Sequence, residues 1–268
     1  MSTRAARLAG SWYPGSAESL TARLDGFLAS DVDPDRAIGI VAPHAGYVYS
    51  GATAGRVYAR VVVPDRVVVL CVNHKVIGKP LAAWIEGEWE TPIGSLPVDA
   101  EAAALIVENC PPLEADEVAH SEEHSLEIQL PFIKRRNPGA RIVPISVGSH
   151  DAGALQSLGE AIADCVRNLP GEALIVASND MTHFEPAAAA AERDAMALER
   201  VRALDPAGLL DVVAREGISM CGAGPTATML WAAEKLGATG CELVDYSHSG
   251  MVTGDDSDVV AYAGLIVT

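Results

Sequence analysis

Runs of consecutive aliphatic residues recur along this chain, and stretches with helical character separate them. Ile38–Ala42, Val67–Val72, Arg141–Val147, Ala173–Ala177, Glu242–Tyr246 and Val259–Val267 read as strands. Most of these runs are continuous in Val, Ile, Leu and Ala rather than alternating with polar residues. A strand of that kind has both faces buried, which requires a sheet covered by helices on both sides. The intervening helical candidates are Ser16–Leu28, Ser50–Val61, Ala100–Asn109, Glu122–Arg136, Ala152–Asn168, Ala188–Leu204, Pro206–Arg215 and Pro225–Leu236. The alternation predicts one α/β domain over residues 1–268, with a central mixed, mostly parallel β-sheet flanked by helices.

Several helix starts carry their own signals. Ser50 is expected to cap one helix. Ser121 followed by Glu122 and Glu123 is expected to open another, and Asp205-Pro206 places proline at a first helical position. Pro131 should kink or split the helix predicted over Glu122–Arg136. The alanine run after Pro186 reads as a helix start, because alanine is the best helix former. Leu81–Leu96 reads as a hairpin or an irregular strand pair.

Composition narrows the partners. The chain has 268 residues, 49% of them apolar, and a formal net charge of −17. So many apolar residues exclude a disordered chain, and so acidic a surface repels phosphate backbones and anionic lipid, so neither nucleic acid nor membrane is an expected partner. No apolar run approaches the roughly 20 residues that span a bilayer, and no apolar segment follows the two N-terminal arginines. Five cysteines, odd in number and without a C-x-x-C pair, predict free thiols and a reducing, cytoplasmic location.

Open α/β sheets bind ligands beyond the carboxyl ends of their strands. There the sequence places Pro43-His44-Ala45-Gly46-Tyr47, then Asn73-His74, then Ser178-Asn179-Asp180-Met181-Thr182-His183. Any one of these histidines alone could merely bond a loop carbonyl. Three behind three separate strands point to a metal or proton-transfer site, since imidazole is both the commonest metal ligand and the usual acid or base near neutral pH. Cys221, in Met220-Cys221-Gly222-Ala223-Gly224-Pro225, reads either as a thiolate ligand or as a small residue in a tight turn. Cys71, Cys110, Cys165 and Cys241 read as buried thiols. His124 has equal claims to site and surface. His120 has less claim to the site, His150 belongs to a helix cap and His248 to a solvent-facing loop. Glu123 and Glu127 read as a solvated helical face, although Glu123 could orient His124. Trp12-Tyr13-Pro14 reads as a latch or as a wall beside a cleft. No dinucleotide, P-loop or G-x-S-x-G pattern is present.

Taken together, Gly10–Pro14 (GSWYP), Ala42–Gly51 (APHAGYVYSG), Asn73-His74, Glu123–Phe132 (EHSLEIQLPF), Asn179–Phe184 (NDMTHF) and Cys221–Pro225 (CGAGP) resemble the Memo family over essentially the whole chain. In prokaryotes that family is also known as protein B of the AmmeMemoRadiSam system. The resemblance implies a fold like that of the class III extradiol dioxygenases, the LigB-like enzymes. It also implies a mononuclear site in which two histidines and a cysteine, here His44, His74 and Cys221, hold iron or copper, with zinc as a further option. It further implies pocket roles for Asp180 and His183 as acid/base residues, and for Trp12, Tyr47 and His124 as pocket walls. The expected chemistry is redox or dioxygenase-like on an unidentified small molecule or peptide, with AMMECR-type and radical-SAM proteins as associates. The rival readings are a non-catalytic peptide- or protein-binding cleft and a zinc hydrolase. This chain departs from the family in carrying Cys71-Val72 where Gly-Pro is usual before the Asn-His pair, and in the alanine-rich stretch after Phe184.

Overall fold

The computed structural model describes residues 2–268. In chain order its elements are β1 (Thr3–Arg4), α1 (Ala17–Phe27), β2 (Gly39–Ala42), α2 (Tyr47–Ala59), β3 (Arg66–Val72), β4 (Leu81–Ala83), β5 (Glu88–Trp89), β6 (Leu96–Pro97), α3 (Ala100–Asn109) and β7 (Glu114–Ala115). There follow α4 (Leu130–Arg136), β8 (Arg141–Val147), α5 (Ala152–Asn168), β9 (Ala173–Ser178), β10 (His183–Glu185), α6 (Ala187–Arg202), α7 (Pro206–Glu216), α8 (Ala223–Leu236), β11 (Cys241–His248), α9 (Gly250–Thr253) and β12 (Val259–Val267).

Nine strands form one mixed sheet in the order β10-β12-β2-β9-β3-β8-β4-β7, with β11 on the other side of β12. Its centre, β2-β9-β3-β8, is wholly parallel. These are the strands whose sequences read as unbroken apolar runs, and nearly all their residues are buried. The antiparallel partners stand outside this centre: β12 beside β2, and β4 beside β8. From β2 to β3 the chain steps across the sheet in one direction, and from β8 to β9 it steps back in the other. Right-handed crossovers therefore put α2 on one face and α5 on the opposite face. Helix α8, buried without a break from Ala223 to Ala233, packs against α5 and against β9, β3 and β2. A small separate sheet, β1-β5-β6, brings the start of the chain against residues 88–97.

The expected mixed sheet flanked by helices is the observed architecture, with antiparallel pairings as numerous as parallel ones, but three local expectations fail. Helix α2 begins at Tyr47, so Ser50 lies inside its first turn and donates to the carbonyl of Ala45 instead of capping. No α-helix covers Glu122–Arg136 as a whole. A 3-10 turn spans Glu127–Gln129 and α4 starts only at Leu130, with Pro131 in its first turn, where a missing N–H costs nothing. Ser121 donates to the carbonyl of Val118 and caps no helix. Within residues 81–96, β4 joins the large sheet, while β5 pairs antiparallel with β6 (Trp89 with Leu96), the irregular strand pair expected there.

Candidate metal centre

The parallel centre of the sheet presents all its carboxyl ends on one edge, and the loops that leave them build the site. Behind β2 comes His44, fully buried, whose backbone N–H donates to Asp180 Oδ1 at 2.7 Å. Its Nδ1 lies 3.0 Å from Ser178 Oγ at the end of β9. Ser178 gives its own proton to the carbonyl of Ser125 at 2.7 Å and accepts from Gln129 Nε2 at 2.9 Å. With that hydroxyl proton committed, Nδ1 of His44 must be the protonated nitrogen, and Nε2 keeps its lone pair.

Behind β3, His74 is fixed in the same way by a carboxylate. Its Nδ1 is 2.9 Å from Glu123 Oε1, and its backbone N–H donates to Glu123 Oε2 at 2.8 Å. An ionised carboxylate only accepts, so His74 too carries its proton on Nδ1 and turns Nε2 outward. Glu123 is held by five donors, the other three being the backbone N–H groups of His124 and Ser125 and the Ser125 hydroxyl. Burial pushes its pKa up, but the hydrogen bond and charge of His74 and the backbone N–H bonds outweigh this, and the carboxyl lies well below the usual range.

Cys221, immediately before the buried helix α8, brings its sulfur to 3.3 Å from His44 Nε2. The ligand atoms of His44, His74 and Cys221 all lie within 4.8 Å of one another. A first-row ion bonded to nitrogen at about 2.0–2.1 Å and to sulfur at about 2.3 Å holds such a pair about 3.5 Å apart, so the spacing fits one shared ion. The electrostatics fit as well. Burial holds the His44 pKa well below 6.5, helped by the neighbouring His124 and His74, so the ring is in the neutral form that ligates. Burial and then the charge of Asp180 push the Cys221 thiol pKa well up. A cation bound beside it would favour the thiolate form. A second cluster, His74, Glu123 and His124, also has metal-ligand spacing. Both oxygens of Glu123 are already taken by protein donors, which makes it the brace of His74 rather than a ligand.

A cavity of about 630 Å³ opens beside this cluster, lined by His44, His74, His124, Asp180 and His183 at its polar end and by Trp12 at its rim. His183 bonds the carbonyl of Ser219 through Nδ1 at 3.0 Å, which leaves Nε2 as an acceptor. Burial lowers its pKa, against the opposing bond to Ser219. Asp180 is driven the other way, up to about 7, by burial, with the His44 N–H bond resisting. Trp12 packs on the His124 ring at 4.8 Å between centroids, and burial lowers the His124 pKa to about 4. Cys221 itself borders a second, smaller cavity of about 300 Å³ together with Val72, Asn73 and Gly224.

Tyr47, expected as a pocket wall, does not line the cavity. It lies in the core under the loop and donates to the carbonyl of Ile128, while its neighbours Val48 and Tyr49 face the cavity. The reading of Glu123 and Glu127 as a solvated face is also wrong. Each is 1% exposed, and Glu127 accepts from Arg4, Leu8 and Tyr13. His120 is a core residue between Trp84 and Trp89, away from the site. His248 ends β11 and is not in an exposed loop. Ser178, Gln129, Tyr49 and Phe184 are the contributors that sequence reasoning passed over. Only the position of Ser178 at a strand end offered a signal.

The fold and the cluster define a class: an α/β protein with a His-His-Cys group that could hold a metal ion at the carboxyl edge of its parallel strands. The chain belongs to the Memo-like family, whose model matches residues 4–266. A MEMO1 family protein of Methanopyrus kandleri is 38% identical over 277 residues, covering 98% of each chain. One from Aquifex aeolicus is 38% identical over 270 residues, covering 99% of each. One from Desulfurococcus amylolyticus is 41% identical over 88% of this chain and 84% of that protein. Among solved structures, an uncharacterized protein of Escherichia coli K12 shares the fold, with a TM-score of 0.56 at 13% identity over 85% of this chain and 99% of that one. No helix among the described residues is long and apolar enough to cross a membrane.

Proposed function

We propose that this chain is a mononuclear metalloprotein in which His44, His74 and Cys221 hold one iron or copper ion and the adjoining cavity receives an organic substrate. The observation that carries the proposal is the convergence of two Nε2 lone pairs and one sulfur from three separate loops, each imidazole fixed in its ligating tautomer by a dedicated partner. Two imidazoles and a thiolate leave coordination positions open, and the bound metal would supply redox chemistry on oxygen or substrate. The protein's own groups do the rest. His183 presents a neutral Nε2 that can take a proton from a bound hydroxyl or thiol, and Asp180 can hold one, its pKa being raised to about 7 by burial. Trp12 packs on His124 and forms one side of the cavity next to the polar end. The substrate is a small molecule or peptide, and AMMECR-type and radical-SAM proteins are the proposed associates.

Metal analysis of protein purified without chelators, with an absorption-edge scan, tests this reading against zinc and against a metal-free binding cleft. Wild type is expected to carry about one iron or copper ion per chain, and His44→Ala and Cys221→Ser much less. Equal metal in all three proteins, or zinc alone, overturns the proposal.

A further inference from the structure

Phe184 combines three features that do not belong together in an ordinary surface residue. It is 76% exposed, it lines the cavity beside the metal cluster, and its backbone is left-handed at φ +58°. It is the extra residue of a β-bulge: His183 pairs with Val260 and Glu185 with Val259, so nothing on β12 stands opposite Phe184. Glycine is the usual occupant of a left-handed bulge position, and a bulky side chain there is disfavoured. The ring recovers little by burial, since its near neighbour is the His183 ring at 5.8 Å. The conformation is nevertheless held from both sides. Asp194 takes the N–H and the hydroxyl of Thr182, Ser219 takes the N–H of His183, and Arg193 pairs with Glu185 at 2.9 Å. Strain that is over-determined in this way, at the mouth of a binding cavity, marks a residue kept for what it touches.

The remainder of the lining says what that is. Trp12 and Tyr49 add partly exposed aromatic surface. No lysine or arginine lines the cavity, and its carboxylates are Asp180 and Asp258. We propose that Phe184 is a specificity-determining residue, a fixed aromatic wall against which an uncharged or cationic ligand with a flat apolar body lies, in a cavity that offers no lysine or arginine to pair with an anion. The proposal rests on the reading of this cavity as the ligand chamber of the metal centre.

The test uses metal-free protein and three probes of one shape, benzylamine, benzyl alcohol and benzoate, followed by shifts of backbone amide NMR signals. Benzylamine is expected to bind at least about ten-fold more tightly than benzoate, with benzyl alcohol between them, and Asp258→Asn to narrow that gap. Phe184→Gly is expected to weaken benzylamine about three- to ten-fold while leaving Tm equal to or above the parent's, because glycine accepts the left-handed backbone. Benzoate binding as tightly as benzylamine, no binding by any probe, unchanged binding in Phe184→Gly, or a lowered Tm in that variant each overturns the proposal. Metal content is measured separately, so a failure here leaves the His-His-Cys reading standing, and a failure there leaves these titrations interpretable.

Discussion

Replacing Glu123 by glutamine keeps the shape of the side chain and removes its charge, so it isolates what the buried carboxylate does. Four donors converge on Oε1 and the backbone N–H of His74 on Oε2. A glutamine can offer its single oxygen to the first set only by turning its NH2 group toward the His74 N–H, donor against donor. One charge-assisted bond, worth about 1.5–3 kcal/mol, is then lost outright, and the other four fall to neutral strength. Relief from burying a charge offsets part of this, but the depressed pKa of the carboxyl shows that its partners outweigh burial. The expected net loss is about 3 kcal/mol, a large share of the roughly 5–15 kcal/mol that keeps a domain folded. Urea unfolding of the metal-free protein reads it directly, with Glu122→Gln on the neighbouring exposed side chain as control. Chelator competition should also show metal affinity reduced about 10- to 100-fold, because the bond orienting the His74 ring falls to neutral strength and the backbone behind it loses its own. A Glu123→Gln protein within 0.5 kcal/mol of the control (about the scatter of surface substitutions) would refute the reasoning. Lost stability with intact metal affinity would refute its extension to His74.

Two other sites give sharp expectations. Burial lowers the His120 pKa to about 4 from 6.5; the fold accepts only the neutral ring while the unfolded chain takes its proton near 6.5, so stability must fall as pH drops through that window. The share due to His120 is about 2 kcal/mol between pH 7.5 and pH 5, and urea unfolding at the two pH values should show it missing from His120→Phe; an unchanged difference between the two pH values refutes it. At Gly222 an added Cβ would lie 2.5 Å from the Ser178 carbonyl oxygen and 2.6 Å from Asn179 Cβ. Gly222→Ala should therefore cost about 1–3 kcal/mol and displace Cys221, read as faster reaction of its thiol with a maleimide in the metal-free protein; parental stability and thiol reactivity would show that the loop has room to spare.

The central strands were legible because their apolar runs leave no other arrangement, and the histidines behind them inherited their positions from that arrangement. His44, His74 and Asp180 needed no more than a strand end and the rule that ligands gather there. What stayed hidden depends on contacts between residues far apart in sequence. Glu123 and Glu127 looked like a helical surface because carboxylates usually are one. Nothing local announces that Arg4 will meet Glu127, or that Glu123 will meet a histidine forty-nine positions earlier. Tyr47 was misassigned because the helix starts three residues earlier than expected: with Gly46 rather than Ser50 preceding it, Tyr47 is its first residue and the ring turns inward. Phe184 was passed over because a bulge is a property of two strands and leaves no mark in one.

The docking of residues 2–14 has a practical side. Arg4, Leu8 and Tyr13 all converge on Glu127, and the carbonyl of Trp12 receives the N–H of Tyr47. During synthesis Tyr47 and then β5 meet this segment first, but the bonds of Arg4, Leu8 and Tyr13 to Glu127 wait until the middle of the nascent chain. Strand β12 finishes beside Gly39, at the opposite edge of the sheet from the candidate site, so a purification tag placed after it stands clear of the pocket wall.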